Sequence, residues 1–149
     1  MISKLPDGPP LFWHQDWWGW DDPISYRDTI AQVLLMYYLT DTWPQNGCLR
    51  VIPGSYRRKH HLHNVNQTHT AALSRVGDPN NPLYGLLAEE KSVPVRVGDL
   101  AIGDSRLLHS VHVNQSSEYR NLITLWHHPN FGLLLTAIQV KSSPNLWTS

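Results

Sequence analysis

The chain is poor in the features that would assign it to several common classes. Cys48 is its only cysteine, so no intramolecular disulfide forms, and a reducing compartment is expected. No run of 18 apolar residues exists, which predicts no membrane span. Charge of either sign is scarce and balanced, with 12 basic and 12 acidic residues, so the basic excess of a nucleic-acid or anionic-membrane binder is missing. Residues 1–10 hold Pro, Gly, Lys and Asp but no apolar signal core, and a cytoplasmic location is expected. The triplets at Asn66 and Asn114 are read as chance matches to a glycosylation acceptor. Sustained helical periodicity is also lacking.

Histidine and tryptophan are abundant instead, nine and seven in 149 residues, a length suited to one domain over 1–149. Residues 11–18 alternate as a strand, with Phe12, His14, Asp16 and Trp18 on one face and Leu11, Trp13, Gln15 and Trp17 on the other. Asp28–Gln32 is expected to form a helical turn. Val33–Thr40 reads as a buried strand, and Asn46-Gly47 as the turn leading to a return strand at Cys48–Ile52. Residues 56–92 are irregular, with a basic cluster at Arg57-Arg58-Lys59-His60-His61. Strands are expected at Val93–Val97, Leu100–Gly103, Leu107–Val113 and Tyr119–His127; an apolar patch at Leu133–Val140 has no clear type. About seven or eight short strands with turns between them predict an antiparallel sandwich or jelly roll.

The chemistry centres on His14 and Asp16. Two apart on a strand, their side chains share a face, whereas on a helix they would splay about 200° apart. An imidazole beside a carboxylate is half of a divalent-metal site. His109, at the start of the last strong apolar run, is the best third ligand. Two histidines and one carboxylate on one face of a metal leave the other face open, the arrangement of non-haem iron(II) oxygenases. Convergence of the three within about 6 Å is the condition this reading must meet. His109 and Arg120 are eleven apart and centred on a turn at Asn114-Gln115. As a hairpin or as an arch between sheets, that spacing places a guanidinium near the metal. Its planar fork suits the far carboxylate of a chelating keto-acid such as 2-oxoglutarate.

Each residue taken singly has a plainer reading. His14 and Asp16 alone suit a surface ion pair, His109 alone a core histidine, and Arg120 alone a salt bridge. Their combination outweighs these readings. Met36 and Tyr38 share one face of a strand and are candidates for the cosubstrate pocket. Trp13, Trp17, Trp18 and Trp20 are expected in the core or at the pocket rim. Gln15, Ser110 and Asn114 are given structural roles, Asp99 and Asp104 turn and salt-bridge roles. His60, His61, His63 and His69 are read as a solvated loop, His127-His128 as a strand end.

Trp13-His14-Gln15-Asp16-Trp17-Trp18, then Asn46-Gly47-Cys48-Leu49-Arg50-Val51-Ile52-Pro53-Gly54-Ser55, then Gly98-Asp99-Leu100, then the His109–Arg120 block resemble the phytanoyl-CoA dioxygenase family, in the family's order. The resemblance implies an all-β double-stranded β-helix (jelly roll, cupin-like), iron(II) held by His14, Asp16 and His109, and 2-oxoglutarate anchored by Arg120. It implies hydroxylation of a small organic molecule using molecular oxygen, with release of succinate and carbon dioxide. Family members usually carry a long segment before the His-x-Asp strand, whereas this chain begins about a dozen residues before it. An N-terminally truncated domain is therefore expected, with exposed apolar sheet surface and a homo-oligomer as consequences. Two other functions stay open at this point: a truncated, inactive jelly-roll binding module, and a zinc hydrolase using the same three ligands.

Overall fold

The computed structural model describes residues 1–19, 22–58, 60–64, 81–134, 136 and 139. Two antiparallel sheets face each other. The first has the order β1 (Ile2–Lys4), β7 (Arg120–His127), β2 (Val33–Tyr38), β5 (Leu100–Asp104); the second has the order β4 (Lys91–Val93), β3 (Leu49–Val51), β6 (His109–Val111). Short 3-10 turns stand at Pro23–Tyr26, His61–Asn64, Pro82–Tyr84 and Phe131–Leu133. This is the expected jelly roll, and among the described residues no helix is long and apolar enough to cross a membrane. Trp20, His69, Asn66 and half of the Leu133–Val140 patch lie outside the described residues.

The core between the sheets explains the strand sequences. Leu34, Met36 and Tyr38 of β2 and Leu122 of β7 meet Leu49 of β3, with Val51, Val93 and Val111 packed around them. Each large side chain so buried contributes about 1.5–3 kcal/mol. β2 is buried on one face only, a correction to its reading as a fully buried strand. Its alternation is hidden in the sequence because the outer residues Val33, Leu35 and Tyr37 are apolar too. On that outer face Leu35 is flanked by Leu125 and Ile102, and Tyr37 by Ile123 and Leu100. Tyr37, Leu100, Ile102 and Leu125 are exposed, so the expected apolar sheet surface is present.

The turn at Asn46-Gly47 forms where expected but does not make a hairpin. Asn46 caps the segment through Trp43 N and the Asp41 carbonyl, and Gly47 takes φ +87°. Beyond the turn β3 pairs with β4 and β6 rather than returning to β2. Residues 39–48 are long enough to carry the chain across to the second sheet, and Thr42 bridges Val95 on the way. The link from β6 to β7 is likewise an arch between sheets. Asn114 builds it, donating to the Glu118 and Leu5 carbonyls and accepting from Ser116 N.

Three further expectations change. Residues 11–18 form no continuous strand: His14 alone is bridged, to His109. Leu11 N reaches Val111 O, Trp13 N reaches Leu83 O, and Asp16 N and Trp17 N both reach Ser105 O. Phe12 and Trp13 are both fully buried, with Ile52, Leu62, Leu83 and Leu108, because protein covers both sides of the segment. Asp28–Gln32 makes no helical turn; the turn forms earlier, at Pro23–Tyr26, where Asp22 accepts from Ile24 N and Pro23 suits the first position. Residues 1–10, for which no strand was expected, contain β1, which pairs with β7 from Ile2↔Leu122 to Lys4↔Arg120.

Candidate metal centre

His14 and His109 are locked together through their backbones. His14 N donates to His109 O at 2.9 Å and His109 N to His14 O at 2.8 Å. This reciprocal pairing sets the imidazoles side by side, with ring centroids 4.2 Å apart and planes tilted by 53°. Each ring then turns the same way. His14 Nδ1 lies 2.9 Å from the Phe12 carbonyl, and His109 Nδ1 lies 3.0 Å from the Leu107 carbonyl. A carbonyl only accepts, so each Nδ1 carries the hydrogen and each Nε2 presents a lone pair.

Both lone pairs face Asp16. His14 Nε2 is 3.8 Å from Asp16 Oδ1, and His109 Nε2 is 3.7 Å from Asp16 Oδ2. The donor atoms of the three residues all lie within 4.8 Å of one another, inside the convergence limit set above. The two nitrogen–oxygen separations exceed hydrogen-bond length, so no shared proton joins these donors at those contacts. Three electron-pair donors facing one point suit a cation. Adjacent ligands on such an ion sit about 3 Å apart, so a contraction of under about 2 Å at the widest pair, and of under about 1 Å at the two nitrogen–oxygen pairs, would seat it. Asp16 lies in a bend rather than on a strand. Its paired contacts from N and the following Trp17 N to Ser105 O give the aim that strand alternation was expected to supply.

A further carboxylate contact was not evident from the sequence. Trp126 Nε1 donates to Asp16 Oδ2 at 2.9 Å, from 110 residues away. Trp126 shares a β7 face with Arg120, Leu122 and Thr124, and all four line one cavity of ≈ 620 Å³ together with His14, Asp16 and His109. Met36 lines it too. Tyr38 does not; it lies beneath, with its hydroxyl 3.7 Å from Met36 Sδ. Gln32 and His128 add a polar patch unnoticed in the sequence: His128 Nδ1 bonds the Ala31 carbonyl and Gln32 Nε2 meets His128 Nε2 at 3.1 Å. The β7 alternation held the signal for Trp126, since it lies on the same face as Arg120. Nothing local pointed to Gln32 with His128.

Arg120 is buried at 4% exposure, and its Nε and Nη1 have no hydrogen-bond partner among the described residues. Burial lowers its pKa, partly offset by Tyr38 and Cys48. The same enclosure pushes the Tyr38 hydroxyl up to about 12, against the opposing pull of Arg120. Lys4, opposite Arg120 across β1–β7, is lowered to about 8 by burial first and by the Arg120 and Arg50 charges next. A buried cation without a counter-charge is costly, and an anionic ligand is the usual reason to keep one.

The other residues weighed in the sequence have structural contacts. Ser110 accepts from Arg50 Nη2 and donates to the Leu11 carbonyl. Asp104 pairs with Arg106 at 2.5 Å, Asp99 caps Arg96 N, and His60 meets Glu89 at 2.9 Å.

A jelly roll carrying two histidines and one aspartate at the rim of its inner cavity, with a lone buried arginine in the same cavity, defines the class of facial-triad double-stranded β-helix proteins. Within that class the chain belongs to the Phytanoyl-CoA dioxygenase (PhyH) family, whose sequence profile matches residues 1–122. A curated relative from Stutzerimonas stutzeri, named "Probable alpha-ketoglutarate-dependent hypophosphite dioxygenase", is 28% identical over 127 residues, covering 82% of this chain and 41% of its own length. Among solved structures, AviO1 from Streptomyces viridochromogenes Tue57 is 25% identical with TM-score 0.55, over 85% of this chain and 47% of that one. EctD from S. alaskensis, solved with 2-oxoglutarate and 5-hydroxyectoine, shares the fold at TM-score 0.55 and 19% identity, over 85% of this chain and 41% of that one. The chain spans less than half the length of each of these relatives.

Proposed function

We propose that this chain carries the iron(II)/2-oxoglutarate centre of a dioxygenase that hydroxylates a small organic substrate. His14, Asp16 and His109 hold the metal, and Arg120 anchors the far carboxylate of 2-oxoglutarate. The observation that carries this reading is the Arg120 guanidinium, whose Nε and Nη1 have no hydrogen-bond partner among the described residues, in the cavity where the three ligand atoms converge. Iron, when bound, supplies the redox and Lewis-acid chemistry that couples decarboxylation of 2-oxoglutarate to oxygen activation. The chain's own residues orient and enclose. The Phe12 and Leu107 carbonyls hold the two imidazoles in the ligating tautomer. Met36, Leu49, Val111 and Leu122 give the cavity apolar walls that exclude water. Tyr38 supports Met36 from below and stays neutral beside Arg120.

The zinc-hydrolase reading finds less support. Asp16 is the only carboxylate among the described residues lining this cavity, which leaves no second one to act as general base.

The deciding experiment is anaerobic addition of iron(II) and then 2-oxoglutarate to the purified protein. A visible charge-transfer band of the chelate is expected, and it should vanish with EDTA. Tightly held zinc with oxygen-independent hydrolysis, or metal binding with no band, would rule the proposal out.

Trp126 gives a second test. Its bond to Asp16 Oδ2 orients the carboxylate beside the two imidazoles. Trp126→Phe should weaken iron(II) binding about tenfold, the size of effect known for partners that orient a ligand. The indole is half exposed, so the fold should survive. Unchanged affinity in isothermal titration would remove Trp126 from this role.

A further inference from the structure

A second cavity of ≈ 720 Å³ is separate from the metal centre and shares none of its lining residues. An aromatic layer divides the two. Trp17, whose Nε1 donates to Ser25 Oγ on this cavity's wall at 2.7 Å, stacks at 5.7 Å on Trp18, which lines the metal cavity.

Arginine dominates its lining. Arg27, Arg57 and Arg58 all contribute, and among the described residues none has a carboxylate within ion-pair distance. Asp28 is the only acid among the described residues of the lining, so there three guanidinium charges stand against one carboxylate, in a protein with zero net charge. The walls are also held in place. Arg106, 3% exposed and neutralised by Asp104, donates to the Ser25 and Arg27 carbonyls at 2.9 Å each and to the Thr29 carbonyl at 3.5 Å. That clamp fixes the segment carrying Arg27. On the facing turn, the Arg57 guanidinium lies 5.3 Å above the Tyr56 ring. Arg58 crosses Gly54, with Nη2 2.8 Å from where a Cβ would stand; Gly54, at φ +79°, is suited to lacking one.

We propose that this cavity is an anion site for a phosphoryl group, carried on a small molecule or free. Planar guanidinium forks match phosphate oxygens two at a time, and a concave basic wall focuses the field on an incoming anion. The volume is that of a small-molecule pocket rather than of a bare ion, which favours an esterified phosphate. The proposal stands apart from the metal assignment, so either can fail alone.

The test titrates inorganic phosphate and phenyl phosphate into the full chain at low salt, by calorimetry, in the wild type, Arg57→Ala/Arg58→Ala, Arg27→Ala and Arg96→Ala. Arg57, Arg58, Arg27 and Arg96 are all exposed, so each variant should fold. Saturable binding of about one anion per chain is expected, weakened about tenfold in the double variant, several-fold in Arg27→Ala and unchanged in Arg96→Ala. Tighter binding of the ester marks a substrate-borne group, and tighter binding of the free ion marks a free anion; both support the site. No saturable binding up to about 10 mM, or equal loss in Arg96→Ala, overturns it, since either result means charge without a built site.

Discussion

His109→Ala is expected to lower iron(II) affinity by more than about 100-fold, past the 10–100-fold typical of losing a mere orienting partner. His109 Nε2 is one of only three donor atoms that converge here, and two donors cannot define a facial site. The substitution leaves the backbone pairing of residues 14 and 109 in place, because it is made by main-chain groups. The imidazole is 5% exposed, so emptying its space should cost on the order of 1–3 kcal/mol in stability. Metal titration read alongside a thermal melt separates the two effects. A folded variant that holds iron(II) as tightly as the wild type would end the three-ligand assignment.

The second large effect concerns Arg120, where function and stability should move in opposite directions. Arg120→Lys keeps the charge but loses the fork, so 2-oxoglutarate binding should weaken more than about tenfold while iron(II) affinity holds. Arg120→Met removes a buried cation whose Nε and Nη1 lack partners. In the absence of ligand it should stabilise the protein by on the order of 1–3 kcal/mol and raise Tm by several degrees. With both proteins already loaded with iron(II), 2-oxoglutarate at about 100 times Kd stabilises the wild type by about 2.7 kcal/mol and leaves a variant that cannot bind it nearly untouched. The ranking of the two proteins by Tm should therefore narrow or reverse when ligand is added. If Arg120→Met is the less stable protein without ligand, the guanidinium is a structural group and its reading as a carboxylate anchor is wrong.

Both predictions depend on residues that were visible in the sequence, but the reason they meet is different from the one the sequence suggested. His14 and Asp16 were expected to share a face because a strand alternates. In the fold the segment docks residue by residue, and Asp16 is aimed by two backbone bonds to Ser105 O. The His109–Arg120 spacing placed both residues near one cavity whether the link was a hairpin or an arch. That is why the site was legible even though the choice between them was not.

What the chain alone determined was therefore local: the strands expected at Val33–Thr40, Leu100–Gly103 and Tyr119–His127, which form within two residues of those bounds, the turns at Asn46-Gly47 and Asn114, and the identity of the candidate ligands with Arg120. Alternation, turn chemistry and donor type are properties of neighbouring residues, so they can be read in order. The tertiary structure alone decided that β3 joins β4 and β6, that Trp126 holds Asp16 across 110 residues, and that Arg27 and the Arg57-Arg58 pair face one cavity. Those are matters of which surfaces bury each other. Sheet choice depends on apolar packing summed over distant segments, and no window of the sequence contains both halves of such a contact.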